Sequence, residues 1–289
     1  MIYFIKRTLE TFLSILLFLF ATTVKGQNLN ADAGQKFFYC GLQGSYAFTG
    51  FGMREFFPGP FSSRPNSQST TQVSYSSLGM GPGSGLYAGY MFTKCIGAEL
   101  DLNALIRSQC TYQGNAVYAG YGFQSELLTF TASMIRIIPT LRLQLNEDRW
   151  HTVSKAGLII GIPVQAREEE ITVDSTGTHD DVYAYKGHLS WGFMGALGVT
   201  YDVGAKISIG AELTAMLHSW APYKLYGISS VFNGVNVNPQ STGGETVYAS
   251  SYNPSSRTPG NGNYAPKTYF PFSSLGLTIS VQYWLEKKK

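Results

Sequence analysis

The chain has 289 residues and a formal net charge of +3, and only 13% of its residues are charged, against about 25% in ordinary soluble domains. A nearly neutral chain argues against nucleic-acid binding, and the 14% of aromatic residues, mostly Tyr and Phe, suit a protein that contacts lipid. Cys40, Cys95 and Cys110 share no motif spacing. We therefore expect neither a disulfide framework nor a zinc site.

The N-terminal residues are typical of a secretory signal peptide. Lys6 and Arg7 precede an apolar run over residues 12–20, and a short stretch follows that ends in Gly26. An uncleaved membrane anchor is the alternative, but the run falls short of the ~20 apolar residues that a spanning helix needs. We predict that residues 1–26 are removed and that residues 27–289 form a single domain.

Eight later segments alternate between an apolar face and a small or polar face. Side chains at positions i and i+2 share one face of a strand, so this alternation predicts β-strands. In the last segment, Leu277, Ile279 and Val281 share the apolar face. Pro139 is expected to interrupt the hydrogen bonding of the fourth strand. The predicted strands cover residues 37–51, 85–92, 96–107, 126–145, 153–167, 187–201, 206–220 and 275–285.

The links between these strands are alternately short and long. Three are turns, at residues 93–94, 146–149 and 202–205, and four are long, at residues 52–84, 108–125, 168–186 and 221–268. Outer-membrane barrels have short periplasmic turns and long extracellular loops. The pattern predicts an all-β protein, an eight-stranded antiparallel up-and-down transmembrane β-barrel in the Gram-negative cell outer membrane, with both termini periplasmic.

A soluble barrel of the lipocalin type is the alternative fold. It would place its apolar residues inside, around a ligand, and its polar residues outside. The apolar face, however, extends over ten or more residues in several strands and carries aromatic residues near the ends. This favours a face that contacts lipid.

The middle of the chain carries a family resemblance. The segment from Ile135 to Leu143, with Pro139 at its centre, and the segment from Lys155 to Pro163 together resemble the small outer-membrane β-barrel domain common in Bacteroidetes. That family is similar in fold to the barrel of outer-membrane protein A. The last strand, with Gly276 and an alternating apolar face ending at Tyr283, also resembles a signal for the barrel assembly machinery, which the resemblance implies as a partner.

The inward faces of the predicted strands carry charged residues of both signs. An eight-stranded barrel is just wide enough for side chains to fill, and buried charges are costly unless they are paired. We therefore predict a packed network of ion pairs in the lumen. A narrow, porin-like pore for small solutes is the alternative. The predicted lumen residues are Glu99, Asp101, Arg107, Arg136, Arg142 and Glu212.

We expect no enzyme activity and no cofactor. The spacing of His188 and Ser190 resembles that of the lipid A deacylase barrel, but no carboxylate is expected nearby to orient the histidine. Residues 179–181 (His-Asp-Asp) are the one cluster with residue types suited to a protease. Residues 168–170, all Glu, together with Asp174 are candidates to attract divalent cations, and a solvated loop is the plainer interpretation of both groups.

The long loops are the predicted working parts. Tyr residues among small polar residues are typical of adaptable recognition surfaces, and structureless loops of this length are commonly functional or disordered. We predict that the loops bind an extracellular or membrane-protein partner, beside the contacts with outer-membrane lipid and lipopolysaccharide; a shielding surface without a ligand is the alternative. The candidate recognition residues are Phe56, Phe57, Phe61, Tyr223, Tyr226, Tyr248, Tyr252 and Tyr264.

Overall fold

The computed structural model describes residues 37–48, 54–55, 68–71, 75–118, 122–237, 245–249 and 263–285. Regular structure within these residues consists of β-strands. No helix in this part of the chain is long and apolar enough to cross a membrane. The predicted signal peptide lies outside the described residues.

Eight strands form a closed antiparallel ring. Each strand pairs with the next one along the chain, and the last pairs with the first, so the ring has no open edge. This confirms the predicted eight-stranded up-and-down barrel. The strands are β1 (Phe37–Ala47), β2 (Gly81–Met91), β3 (Ile96–Tyr118), β4 (Gly122–Glu147), β5 (Trp150–Asp174), β6 (Ser190–Asp202), β7 (Ile207–Trp220) and β8 (Ser274–Trp284).

The two faces of the ring have opposite polarity. The outer face is a belt of exposed apolar side chains, such as Leu42, Leu100, Leu213 and Ile279, each at least 46% exposed. The inner face carries buried Glu, Arg, Lys, Gln, Ser and Thr side chains. A soluble barrel would show the reverse. Closure leaves no unpaired backbone edge, as a bilayer requires, so this is the architecture of a transmembrane barrel.

The start of β1, the end of β8 and the three tight turns lie at the same end of the ring. The turns cover residues 92–95, 148–149 and 203–206. Phe37 pairs with Met91 beside the first turn, and Ile207, just after the third turn, pairs with Tyr283 of β8. Pro139 interrupts the β4–β5 ladder as predicted: Ile137 pairs with Ile160, and the next residue of β4 paired with β5 is Thr140.

Strands β3, β4 and β5 continue far beyond the ring at the opposite end. They contain 23, 26 and 25 residues, and their distal parts recruit further strands into one continuous sheet. We call this part the extension sheet. Its added strands are Gln68–Thr71, Gly177–Gly187, Pro222–Phe232, Val235–Val237, Glu245–Ala249 and Asn263–Pro266. Phe270–Pro271 pairs with the end of β7, and Arg54–Glu55 pairs with Tyr75–Ser76.

The prediction of long loops at residues 108–125 and 168–186 was wrong. Most of these residues form the β3–β4 hairpin and the hairpin from β5 to the Gly177–Gly187 strand. The run of three Glu residues suggested a solvated loop, but in the structure it pairs with residues 181–183 across a ladder. Alternation between apolar and polar faces fades there because neither face contacts lipid. The boundaries of the other strands differ from the prediction by a few residues.

A two-residue turn and the side chain of Asn233 fix the distal tip of the extension sheet. Asn233 and Gly234 adopt positive φ angles of 48° and 81° between the paired residues Phe232 and Val235, as a two-residue hairpin turn requires. The Asn233 side-chain oxygen accepts a hydrogen bond of 2.8 Å from the backbone N–H of Thr178 in the neighbouring hairpin. The two hairpins are therefore locked together at their ends.

Candidate functional site: a filled lumen and an extension sheet

Four charged side chains form a connected network inside the ring. Glu99 pairs with Arg142 at 3.1 Å and with Lys155 at 2.6 Å, and Lys155 also contacts Glu212 at 3.0 Å. The Tyr39 hydroxyl donates a 2.8 Å hydrogen bond to Glu99. Burial of such charges is tolerable because each acid faces a cation at short range.

Amide side chains extend the network toward the tight turns. Arg142 donates hydrogen bonds of 2.9 Å to Gln282 and to Gln144, and Gln144 donates one of 2.6 Å to Asn146. The guanidinium of Arg142 also lies over the ring of Tyr39, 4.8 Å from its centre. The network therefore links four strands, β1, β3, β4 and β8, in addition to Lys155 of β5 and Glu212 of β7.

The structure places five of the six predicted lumen residues inside the ring. Glu99, Asp101, Arg136, Arg142 and Glu212 are all at most 5% exposed. Glu99, Arg142 and Glu212 belong to the network, whereas Asp101 contacts Gln43 at 3.5 Å and Arg136 lies apart. Lys155, which bridges the two glutamates, was not singled out from the sequence. Alternation along β5 places Lys155 on the inward face, and this pattern could have identified it.

The inward placement of Arg107 was wrong. The β3–β4 register shifts between Leu105 and Ser108, so the strand carries an extra residue there, and Arg107 adopts a φ of 43°. Such a bulge places two successive residues on the same side. Ile106 and Arg107 are consequently both exposed on the outside, and Ser108 is buried.

Aromatic side chains close the lumen at the end of the tight turns. Tyr39 packs against Trp284 with ring centres 5.1 Å apart, and Phe37, Tyr87 and Met91 complete this cluster. Across the β1–β2 ladder, each tyrosine faces a glycine: Tyr39 pairs with Gly89 and Tyr87 with Gly41. A Cβ at either glycine would overlap the facing ring, so the glycines make room for it.

A larger apolar cluster closes the opposite end, where the ring meets the extension sheet. Its members, all buried, are Leu78, Leu105, Cys110, Tyr112, Leu128, Phe130, Ala132, Met134, Ala166, Trp220, Phe270 and Phe272. Backbone hydrogen bonds hold the two covering segments: Leu78 N donates to Pro271 O at 2.8 Å, and Phe272 N donates to His218 O at 2.9 Å. We call this the outer cluster.

The lumen is therefore filled in three successive layers. The aromatic cluster around Trp284 lies at one end, the ion-pair network follows, and the outer cluster covers the other end. Between the network and the outer cluster lies a small cavity of about 20 Å³, lined by polar side chains such as Ser45 and Thr214 together with Arg136. A volume of this size holds roughly one water molecule.

Ser190 is paired with a histidine other than the one suggested by the sequence. Its hydroxyl lies 2.8 Å from Nε2 of His218 on β7, and it also contacts the carbonyl of Gly161 at 3.2 Å. His188 instead stacks on Tyr223, with ring centres 4.6 Å apart. Within the described part of the chain, no carboxylate hydrogen-bonds to the His218 Nδ1 atom, and the ring of Phe272 packs on the histidine with ring centres 5.9 Å apart.

The acidic residues of the extension sheet lie on different faces. Glu168 and Glu170 share a face with Glu126 and Asp181, whereas Glu169 is exposed on the other side. Asp174 accepts hydrogen bonds from the backbone N–H groups of Thr176 and Gly177 and thereby shapes a turn. Within the described part of the chain, no three His, Cys, Asp or Glu side chains are arranged to hold a metal ion.

Burial and mutual repulsion raise the pKa values of these carboxyl groups. The pKa of Glu168 is raised to about 7: burial is the largest cause, a hydrogen bond from Tyr185 opposes it, and the charges of Glu170 and Glu126 contribute to the rise. Burial, then the charge of Glu170, raises the pKa of Glu126 to about 7. The pKa of Glu170 is also raised, first by burial and then by Asp181.

The candidate protease cluster at residues 179–181 is not assembled as a catalytic group. His179 stacks on Phe232, with ring centres 4.5 Å apart, and Asp180 and Asp181 point to opposite faces of their strand because they are consecutive. His179 and Asp181 do share a face with the glutamates. Their surroundings are those of a packed sheet.

Four of the eight candidate recognition residues lie in the described part of the chain. Tyr223 is 39% exposed, and Tyr226 lies under the ammonium group of Lys186 at 5.0 Å. Tyr248 is half-buried and stacks on Tyr185. Tyr264 belongs to the short strand Asn263–Pro266. Phe56, Phe57, Phe61 and Tyr252 lie outside the described residues.

Comparisons with known proteins find a similar fold among solved structures. No protein-family model matches the chain, and no curated protein sequence matches it significantly. The fold is similar to that of the outer membrane protein OprG from Pseudomonas aeruginosa, with a TM-score of 0.36 and 13% sequence identity over 88% of this chain and 97% of that chain. A likeness this distant transfers no activity from one protein to the other.

Proposed function

We propose that this protein is an integral outer-membrane β-barrel that does not conduct solutes and that presents its extension sheet for recognition at the cell surface. The observation that carries the proposal is the filled lumen. Ion pairs with N···O distances of 2.6–3.1 Å cross the ring between two apolar closures. A side-chain-filled interior suits a structural scaffold rather than a channel.

The orientation in the membrane follows from the rim of the apolar belt. Arg107, Arg167 and Lys186 are exposed and lie just beyond the last apolar residues of the belt, Ile106 in β3 and Val164 in β5. Cations at this level suit the phosphate groups of lipopolysaccharide. We infer that the extension sheet is extracellular and that the tight turns and both termini are periplasmic. The predicted signal peptide and the barrel assembly machinery would deliver the chain there.

The family-level resemblance to Bacteroidetes barrels, carried by residues 135–163, stays a prediction. A non-enzymatic role is supported by the surroundings of Ser190 and His218, which are enclosed beneath Phe272 and have no hydrogen-bonded carboxylate among the described residues. A nucleophilic serine needs such an orienting group and access to substrate.

Planar-bilayer recording tests the closed lumen. The purified, detergent-folded protein should insert and give no resolved conductance steps, because the three layers leave no continuous aqueous path. A porin preparation in the same bilayers serves as the positive control, and insertion is verified by the shift in gel mobility on heating. Steady, ion-selective conductance steps from the folded protein would contradict the proposal and show that the barrel is a pore.

Affinity capture from outer membranes tests the recognition role. Two apolar residues on the added strands, Ile228 and Val235, are 43% and 65% exposed. We expect the wild type to retain a protein that the Ile228→Ser, Val235→Ser double variant loses, because exposed apolar side chains anchor interfaces. A Val203→Ser variant, altered at a turn on the opposite end, is the matched control. Identical captures from all three proteins would contradict recognition through this sheet.

A further inference from the structure

Arg136 is a buried cation without an acidic partner. It points inward from β4 and is only 2% exposed. Its Nη1 atom contacts the sulfur of Met216 at 3.1 Å, a weak acceptor, and its Nε and Nη2 atoms have no hydrogen-bond partner among the described residues. All three nitrogen atoms of the guanidinium are thus poorly satisfied or unsatisfied in the interior of the ring.

The acidic residues of the lumen network pair with cations other than Arg136. Glu99 and Glu212 pair with Arg142 and Lys155, and none of the ion pairs among the described residues includes Arg136. Directly opposite Arg136 on β3 is Asn103. The next inward acid on β3, Asp101, lies two residues nearer the tight turns and contacts Gln43.

A buried guanidinium without a counter-charge is strongly destabilising, so proteins almost always pair such groups. Arg136 also lines the small cavity between the network and the outer cluster. The hydroxyl and amide side chains of Ser45, Asn103, Thr214 and Thr278 also line it, together with glycines and apolar side chains. The site therefore combines a full positive charge, unused N–H donors and neutral polar groups.

We propose that this cavity is an anion site, held by Arg136, that takes a monatomic halide, in practice chloride. A space of about 20 Å³ accommodates one small occupant, so a monatomic anion fits it better than phosphate or sulfate does. The ion supplies the negative charge that the side chains around Arg136 lack. It enters as the barrel closes, because the aromatic layer and the outer cluster cover both ends of the lumen. Chloride is thus a structural component of the folded barrel.

Bromide replaces chloride for a direct test. Crystals of the full chain grown in sodium bromide should give an anomalous difference peak in the cavity, in contact with Nε or Nη2 of Arg136. A peak of water-like density with no anomalous signal would overturn the proposal, because a neutral water molecule would then satisfy the guanidinium. This measurement needs no variant.

Unfolding in detergent gives an independent test. With gluconate holding the ionic strength constant, each tenfold rise in chloride above its dissociation constant should lower the unfolding equilibrium constant about tenfold. Arg136→Met should remove this dependence. Arg167→Met, which removes an exposed arginine of the rim, should keep it. A wild-type midpoint that ignores chloride would overturn the proposal.

Discussion

Glu99 is the acid on which the lumen network depends. It accepts charge-assisted contacts from Arg142 and Lys155 and a hydrogen bond from Tyr39. Glu99→Gln should lower the free energy of unfolding by about 3 kcal/mol, because Arg142 would be left without an acidic partner inside the barrel. Denaturant unfolding in detergent micelles, followed by tryptophan fluorescence, measures the change.

A chemically identical change on the surface serves as the control for Glu99→Gln. Glu169 is exposed on the extension sheet, so Glu169→Gln should change the stability by less than about 0.5 kcal/mol. If the two substitutions changed the free energy of unfolding equally, the network would stabilise the barrel no more than an ordinary surface charge does.

Single residues mark where sequence reasoning about the lumen succeeds and where it stops. Alternation alone places Glu99, Asp101, Arg136, Arg142 and Glu212 inside, because lipid admits only apolar side chains over the belt. It fails at Arg107, because a bulge of one extra residue reverses which residues of the strand point inward beyond that position. Alternation also does not predict which side chains contact each other. The spacing of residues along the chain indicates neither the Ser190–His218 pair nor the position of Lys155 between two glutamates.

At the scale of elements, the extension sheet is predicted to respond to pH. Burial raises the pKa of Glu168 and of Glu126 to about 7, above the value of about 4.5 in an unfolded chain. The folded sheet therefore binds more protons than the unfolded one between pH 4.5 and 7. Its stability is greatest below pH 4.5 and falls as the pH rises through 7.

Hydrogen exchange detects this response. After correction for intrinsic rates, amide protection in the extension parts of β4 and β5 should fall by about tenfold or more from pH 5 to pH 8, since one unit of pKa difference corresponds to a tenfold change. Glu168→Gln should reduce the dependence, and Glu169→Gln should leave it intact. Protection that is constant with pH would contradict the assignment.

The ring and the extension sheet differ in how far the sequence predicts them. Within the belt, lipid on one side and packed polar groups on the other impose a strict two-residue period, so all eight strands and the three tight turns are predictable. Beyond the belt both faces meet water or protein, and the period is lost. The Pro222–Phe232 strand, for example, pairs with Gly177–Gly187. That pairing depends on contacts between distant segments rather than on a local pattern.

The whole molecule combines a ring that has a filled interior with a sheet that extends from one end of the ring. The filled lumen makes the ring rigid, because every layer contacts several strands at once. The length of β3, β4 and β5 then fixes the extension sheet to that ring without a flexible hinge, since the same strands run through both parts. A surface held in this way can bind a partner without a large loss of conformational entropy.

The outer cluster also has a consequence for the order of assembly. Its residues come from the segment before β2, from β3, β4 and β5, from the end of β7 and from the segment before β8, so its contacts span most of the chain. Contacts of such long range form late in folding. The Ser77 hydroxyl donates to the carbonyl of Ser273 at 2.6 Å and so joins the approaches to the two strands that flank β1. Until β8 has paired with β1, the barrel is a curved sheet that is open at one side. The outer cluster can close the lumen only after this pairing has formed. A barrel with a closed lumen is therefore one that has completed its assembly.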